Sequence, residues 1–279
     1  MCMRISDRLS VVSTLAVGLC LSLPAWALDG STTPANKPFA LPGHFRNNED
    51  ALQQGLKADQ AGNVPFTLKA LGYAAAHGQS IARWKLAHMY ADGEGVNRDD
   101  LKAFHYYRDI ITSYHPGDND GRDRAAVSSA YVALGAYLLR GIPKTDVKRN
   151  PLLAMRMFQV AATVFRNPDA QYNLAQMFLK GTGVAHDARQ AAGWLSLAAA
   201  KNHCAAQALL GRILFNGGHD IVRQRAKGLM WLMLARKGAT DPVKDAWIIA
   251  LYDKAMASAT DNDRQAAMAY LSDHKHRLN

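Results

Sequence analysis

The sequence predicts an all-α protein, a right-handed superhelical solenoid built from stacked helical hairpins. From Glu49 onward the apolar residues recur with the helical period, and we find no alternating strand pattern of useful length. A fixed combination of Ala, Leu and Gly occurs four times along the chain. The composition, with 49% hydrophobic and 20% charged residues, is that of a globular protein rather than a disordered one.

The repeated unit has the spacing Ala-x3-Leu-x6-Gly, and successive copies begin 48, 40 and 36 residues apart. Ala and Leu four residues apart lie on one face of a helix, where the small Ala lets a second helix approach closely. The Gly is expected to end the helix, because a left-handed residue satisfies its last carbonyls. The four copies are Ala82, Leu86 and Gly93; Ala130, Leu134 and Gly141; Ala170, Leu174 and Gly181; and Ala206, Leu210 and Gly217.

A second helical pattern follows each Gly, so each copy is expected to form a hairpin. One hairpin cannot bury its apolar stripe alone, and the copies therefore have to stack on one another. We assign residues 49–240 to this solenoid, with a polar insertion at 112–124 that accounts for the 48-residue step. Residues 241–279 carry two further helical segments that are expected to cap its open end.

The repeats resemble the Sel1-like branch of the tetratricopeptide-type repeats. Residues 82–96 followed by Lys102 and Ala103 match that pattern closely, and so do residues 170–184 followed by Gln190 and Ala191. The second copy departs from the pattern because Ile142 and Pro143 replace part of the Gly-x-Gly-Val turn. The resemblance covers about residues 50–240 and implies a scaffold for protein–protein interaction.

Residues 1–27 have the layout of a cleavable signal peptide. Arg4 and Arg8 precede an apolar core at residues 9–23, which is too short to span a bilayer comfortably. Small residues at positions 25 and 27 favour cleavage between Ala27 and Leu28. Residues 28–48, with three prolines, are expected to form a flexible leader. No later apolar run reaches membrane length, so we expect a periplasmic protein without a membrane span after signal removal.

The whole layout, from signal peptide to helical C-terminus, resembles the ExoR family of periplasmic negative regulators of exopolysaccharide production, known from rhizobia and their relatives. The resemblance implies a repressor that binds the periplasmic domain of a membrane sensor histidine kinase and holds the kinase off. It also implies control by a periplasmic protease. The leader and the 112–124 insertion have few apolar residues, so they are expected to be cut first.

An alternative function class stays open, namely a periplasmic enzyme or enzyme accessory acting on peptidoglycan or polysaccharide. The chain contains no His-Glu-x-x-His zinc motif, no Gly-x-Ser-x-Gly elbow and no phosphate-binding Gly-x4-Gly-Lys-Ser/Thr loop. We therefore expect a protein that is not an enzyme and binds no cofactor. Asp118, Asp120 and Asp123 carry oxygens suited to a hard cation, but their order does not match an EF-hand, and a solvated loop is favoured.

The formal net charge of +10 favours an acidic partner. Nucleic acid is not expected, because the basic residues are scattered and the protein is expected to be exported.

The candidate partner site is the helix face opposite the repeated Leu. A residue two positions before that Leu is rotated by about 200° around the helix axis. Applied to the first helix of each hairpin, this register selects a stripe that also includes Val132 and Ala208. Outward aromatic residues beside cations have the composition of an interface hot spot. The alternative is that the cations simply favour the helix dipole and the aromatics pack on the next repeat. The candidate partner-binding residues are Trp84, His88, Arg140, Tyr172, Gln176, Lys180 and Arg212.

The targeting segment leads to the first testable prediction. The mature protein isolated from the periplasm begins at Leu28, because signal peptidase cleaves after the small residue Ala27. Mass spectrometry of the intact exported protein measures this directly. A protein that retains Met1 would contradict both the cleavage and the periplasmic location.

Overall fold

The computed structural model describes residues 45–115, 117, 121–218 and 220–276. The predicted signal peptide, its cleavage site at Ala27 and Leu28, and nearly all of the leader lie outside the described residues. Asp118 and Asp120 lie outside them as well.

The described residues form twelve α-helices and no strand. Their bounds are α1 Asn48–Gln60, α2 Val64–Ala76, α3 Ser80–Asp92, α4 Asp100–Thr112, α5 Gly121–Arg140, α6 Pro151–Thr163, α7 Pro168–Lys180, α8 Ala188–Ala199, α9 Cys204–Asn216, α10 Arg225–Gly238, α11 Ala246–Ser258 and α12 Asp261–His276.

Helices α1 to α10 pair in chain order into hairpins, and each packs mainly against its neighbours in sequence, whereas α12 packs mainly against α10. We call the odd-numbered members A helices and the even-numbered members B helices. Additional contacts join α3 to α5 and α9 to α11 among the A helices, and α10 to α12 among the B helices. This arrangement confirms the all-α repeat solenoid that the periodicity predicts.

Short polar side chains fix where many helices begin. A side-chain oxygen at the N-cap accepts a hydrogen bond from a backbone N–H in the first turn, which satisfies a donor that the helix itself leaves unpaired. Because this residue precedes the apolar stripe, it sets the register of each helix. N-caps of this kind are Asn47, Asn63, Asp99, Asn150, Asn167 and Asp187.

The repeated residues occupy equivalent places in the core. All four repeat alanines, at positions 82, 130, 170 and 206, have no exposed surface, and the four leucines are 1–3% exposed. All four repeat glycines have positive φ, between 61° and 75° for the first three and 68° for Gly217. Gly217 differs in its ψ of −169°, so the fourth hairpin leaves its first helix by an extended turn.

The insertion predicted at 112–124 is partly helical at its ends. Thr112 is the last residue of α4, and α5 begins at Gly121. The first helix of the second copy, α5, is therefore longer than its counterparts in the neighbouring copies. It has 20 residues, compared with 13 in α3 and α7.

The two helices of the last repeat cross where neither carries a side chain. A Cβ atom at Gly228 would lie 2.4 Å from the backbone nitrogen of Phe215 and 2.7 Å from the carbonyl oxygen of Gly211. A Cβ atom at Gly211 would lie 2.8 Å from the carbonyl oxygen of Gly228. Both residues are buried. The backbones of α9 and α10 are thus in direct contact, which is possible only with glycine at both positions.

An ion pair joins the start of α10 to the start of α12. Arg225 Nε donates to Asp263 Oδ2 at 2.7 Å, and the backbone N–H of Thr260 donates to the same oxygen at 3.0 Å. The Arg225 guanidinium also donates to the carbonyl of Ser258. The hydrogen bond from the Thr260 backbone, together with that from Arg225, lowers the pKa of Asp263 to about 2. This carboxylate therefore ties the C-terminal cap to the last repeat.

The crossing of α9 and α10 gives a stability prediction. Gly228→Ala forces the two backbones apart and lowers the free energy of unfolding by about 1–3 kcal/mol. Gly193→Ala is the matched control, because Gly193 is helical and exposed and its Cβ would meet nothing within 4 Å. The control raises stability by about 0.5–1 kcal/mol, since Ala is the better helix former. Urea unfolding followed by circular dichroism measures both, and equal effects would contradict the close crossing.

The ion pair gives a prediction of pH dependence. Asp263→Asn lowers the free energy of unfolding by about 1–2 kcal/mol at neutral pH, because a charge-assisted hydrogen-bond pair is lost. The folded pKa is below the unfolded value of about 3.9, so the contribution is complete above that pH and disappears as pH falls towards 2. Urea midpoints of wild type and variant should converge over this window. Asp253→Asn, an exposed carboxylate on α11, serves as control and should change little. A difference that stays constant down to pH 2 would refute the assignment.

Candidate protein-binding surface

A groove runs across the A helices α7, α9 and α11, and we call it the A-helix groove. Its volume is about 390 Å³. The groove brings together residues of three successive A helices that are separated by up to 75 positions in sequence (172 to 247). It is lined by Tyr172, Gln176, Leu179 and Lys180 from α7, Leu209 and Arg212 from α9, and Trp247 from α11.

The aromatic wall at Tyr172 is held in place by a hydrogen-bonded histidine. The rings of Tyr172 and His203 lie with their centroids 4.8 Å apart. His203 is the N-cap of α9, and its Nδ1 accepts from the backbone N–H of Ala206 at 3.0 Å. Its Nε2 lies 3.1 Å from Asp169 Oδ1. Because Nδ1 is the acceptor, Nε2 carries the proton and donates to Asp169. Both ring nitrogens are engaged, so the imidazole presents a fixed face to Tyr172.

The rim of the groove is positively charged. Lys180 is exposed, and its Nζ donates to Gln176 Oε1 at 3.0 Å. Arg212 is also exposed, and its guanidinium makes no hydrogen bond or ion pair with the residues that the structure describes. The lining contains no carboxylate. Two cations above an apolar and aromatic floor create a positive potential suited to an acidic segment.

Four of the seven predicted partner-binding residues thus lie in one groove, whereas the other three lie elsewhere. Trp84 is partly buried, and its Nε1 donates to Ser129 Oγ at 3.0 Å. His88 lies 4.1 Å from Trp84, measured between ring centroids, and burial lowers the pKa of His88. Arg140 is exposed, with its guanidinium 5.6 Å from the ring centre of Tyr137. Trp84 therefore packs on the next repeat, as the alternative to an outward-facing aromatic residue predicts.

The predicted outward stripe is wrong at two positions. Val132 is 3% exposed and packs in a cluster with Phe158, and Ala208 has no exposed surface and packs against Ile248. Each of these helices contacts more than one neighbour, so its buried face is wider than the single Ala–Leu stripe. The stripe is therefore interrupted in the second copy and at the start of the fourth.

Three residues of the groove are absent from the sequence prediction. Leu179 and Leu209 lie three residues from Gln176 and Arg212, so they belong to the same helix faces through the i, i+3 spacing rather than the i, i+4 spacing. Trp247 lies in the C-terminal cap, outside the repeat register, and only the tertiary packing of α11 on α9 brings it to the groove. A search at both helical spacings would have found the two leucines.

The candidate cation ligands are only partly described. Asp123 is partly buried in the first turn of α5, and Asp118 and Asp120 lie outside the described residues. Within the described ranges, no three His, Cys, Asp or Glu side chains are grouped closely enough to hold a metal ion.

The family of the chain follows from comparison with known proteins. The Sel1 repeat matches residues 80–108, 128–163, 168–203 and 204–237, which span the hairpins from α3 to α10. An exopolysaccharide production negative regulator of Rhizobium meliloti (strain 1021) is 34% identical over 278 residues, which cover 98% of this chain and 96% of that protein. The chain belongs to this family of Sel1-repeat regulators. A protein of the same description from Rhizobium leguminosarum bv. viciae is 34% identical over 259 residues, covering 92% and 90% of the two chains.

A solved structure supports the fold of this regulator-family chain. The crystal structure of a Sel1 repeat protein from Oxalobacter formigenes superposes with a TM-score of 0.58 and covers 83% of this chain and 100% of that one. At 19% sequence identity the similarity concerns the fold alone. Among the described residues, none of the helices combines the length and apolar character needed to cross a membrane.

Proposed function

We propose that this protein is a periplasmic negative regulator of exopolysaccharide production that acts by binding, not by catalysis. In this proposal the A-helix groove holds an extended segment of the periplasmic domain of a membrane sensor histidine kinase and keeps the kinase inactive. The observation that carries the proposal is the groove itself, in a chain whose nearly full-length relatives are named negative regulators.

The chemistry of the groove defines the segment that it would bind. Tyr172 and Trp247 offer two aromatic surfaces to the groove, together with the apolar side chain of Leu209. Aromatic residues and Arg are the residue types that contribute most to binding energy at interfaces, because they bury large areas at little cost in conformational entropy. Lys180 and Arg212 on the rim would attract carboxylates and speed association. A partner segment with apolar side chains flanked by Asp or Glu fits this surface.

The groove offers no support for the enzymatic alternative. Hydrolysis of a glycosidic bond requires a pair of carboxyl groups on either side of the bond, and the lining of the groove includes none. Its polar groups are a phenol, an amide, an indole N–H and two cations, which suit recognition better than proton transfer.

Control by a periplasmic protease is the second part of the proposal. The family resemblance suggests it, and the connection between α4 and α5 is a suitable place for cleavage. Ser113 and His115 are exposed there, between two helices that remain anchored in the core. Tyr114 between them packs against Phe165, so cleavage is expected at the exposed neighbours, where opening sacrifices little buried surface. Cleavage at this point would break the covalent connection between the first two hairpins and the repeats that form the groove.

The groove assignment predicts a loss of binding on charge reversal. The double variant Lys180→Glu and Arg212→Glu weakens binding to the purified periplasmic domain of the kinase by about tenfold or more, because attraction to an acidic segment becomes repulsion. Isothermal titration calorimetry at constant ionic strength measures the dissociation constant. Both residues are exposed, so folding should be intact, and circular dichroism checks this.

The matched control reverses two exposed charges on B helices, Lys69→Glu on α2 and Arg156→Glu on α6. Its dissociation constant should stay within about threefold of wild type, since surface charges outside an interface contribute little. A third variant, Arg140→Glu, tests whether the contact extends to the predicted residue outside the groove. If the groove variant binds as tightly as wild type, the kinase contacts another face.

A further inference from the structure

A second groove lies apart from the A-helix groove, between α4, the end of α5 and the loop that joins α5 to α6. We call it the loop groove, and its volume is about 680 Å³. This size is within the range of small-molecule binding sites. Its apolar base is formed by Leu101, Phe104 and Leu138. Neither the repeat pattern nor the proposed kinase contact accounts for it.

The loop is longer than its counterparts in the other repeats. Eight residues (142–149) separate Gly141 from the next N-cap, Asn150, whereas five residues (94–98 and 182–186) do so in the first and third copies. The loop is also ordered by its own hydrogen bonds. The backbone N–H of Ile142 donates to the Val147 carbonyl at 2.8 Å, and that of Asn150 donates to the Leu138 carbonyl at 2.7 Å. The extra residues therefore form a fixed wall of the groove.

The charges of the loop groove are unbalanced. Lys144, Lys148 and Arg149 lie on the loop and Arg108 on α4, against one carboxylate, Asp146. None of the three loop cations forms an ion pair with the residues that the structure describes. Arg108 lies 3.6 Å from Asp109 Oδ1, so the unpaired positive charge belongs to the three loop residues, whose mutual repulsion falls when an anion enters the groove.

The contacts of these cations leave donors available. Lys148 Nζ donates to the Thr145 carbonyl at 2.8 Å, and Arg149 Nε donates to the Leu139 carbonyl at 3.2 Å. Each hydrogen bond uses one N–H of the ammonium or guanidinium group and holds that side chain beside the loop. The other N–H groups of both side chains can donate to a ligand.

Two further features indicate a polar ligand: a ring nitrogen without a partner, which donates or accepts according to its tautomer, and a helix N-terminus, which favours negative charge. The Nδ1 atom of His105, a residue that lines the groove, is buried and has no hydrogen-bond partner among the described residues. Asn150, the N-cap of α6, also lines the groove, which places the positive end of that helix dipole at its edge. A buried polar atom without a partner is uncommon in folded proteins, and a bound ligand is one way to satisfy it.

We propose that the loop groove binds a compact multivalent anion, an organic or inorganic molecule carrying at least two phosphate or carboxylate groups. The cations at the mouth would contact the anionic oxygens through charge-assisted hydrogen bonds. The apolar base at Phe104 would contact an organic body where the ligand has one. Such a ligand would stabilise the folded chain by mass action and give the regulator a small-molecule input separate from its protein partner.

The test uses pyrophosphate as the phosphate probe and citrate as the carboxylate probe, each titrated into the mature protein by isothermal titration calorimetry. Sodium chloride at matched ionic strength is the reference, because it screens charge without occupying a site. We expect saturable binding of at least one probe with a dissociation constant below about 1 mM. Binding of pyrophosphate alone would identify a phosphate ligand, and binding of citrate alone would identify a carboxylate ligand. Binding of both would show that the groove recognises the oxyanion groups that the two probes share.

Variants place the binding in the loop groove. The double variant Lys148→Gln and Arg149→Gln should weaken probe binding at least tenfold. Arg108→Gln, a change on α4 that leaves the loop sequence intact, should weaken it as well. The matched control is Arg236→Gln with Lys237→Gln, an adjacent exposed pair on α10. The inference is overturned if neither probe binds more tightly than chloride, or if the α10 variant loses binding as the loop variant does. Either result leaves the kinase contact at the A-helix groove unaffected, since no residue lines both grooves.

Discussion

The close approach of helices at small residues, within and between hairpins, is the constraint on which the rest of the structure depends. At the crossing of α9 and α10 neither Gly211 nor Gly228 has room for a single added carbon. In each repeat the buried Ala packs against the preceding hairpin, where its single methyl group lets the two hairpins approach closely. Because the hairpins are narrow, each can stack on the next through a continuous core, and stability accumulates along the chain through contacts between neighbours.

This spacing also produces the A-helix groove. Three consecutive A helices lie close enough for Tyr172, Arg212 and Trp247 to line one groove, although they come from different hairpins and from the cap. The His203 N-cap shows how closely structure and site are connected, since one imidazole both begins α9 and supports the Tyr172 ring. The cap contributes Trp247 to the groove as well as packing on the last repeat.

The sequence predicts the repeated elements well, because local chemistry determines them. Ala, Leu and Gly at fixed spacing define helices, their buried faces and their ends without reference to distant residues. The same register identifies four residues of the A-helix groove. It fails at Val132 and Ala208, where a third helix covers a face that the single-helix argument leaves open. Trp247 and the loop groove depend on how separate segments come together, and periodicity contains no information on that.

Site-specific photocross-linking most directly tests the central claim that the A-helix groove is where this regulator contacts its kinase. A photoreactive amino acid is placed at position 180 on α7 or, as the comparison, at position 237 on α10; both native residues are exposed lysines. On irradiation with the purified periplasmic domain of the kinase, the account predicts a covalent adduct from position 180 and little or none from position 237. Adducts from position 237 alone would place the contact on the B helices and contradict the account.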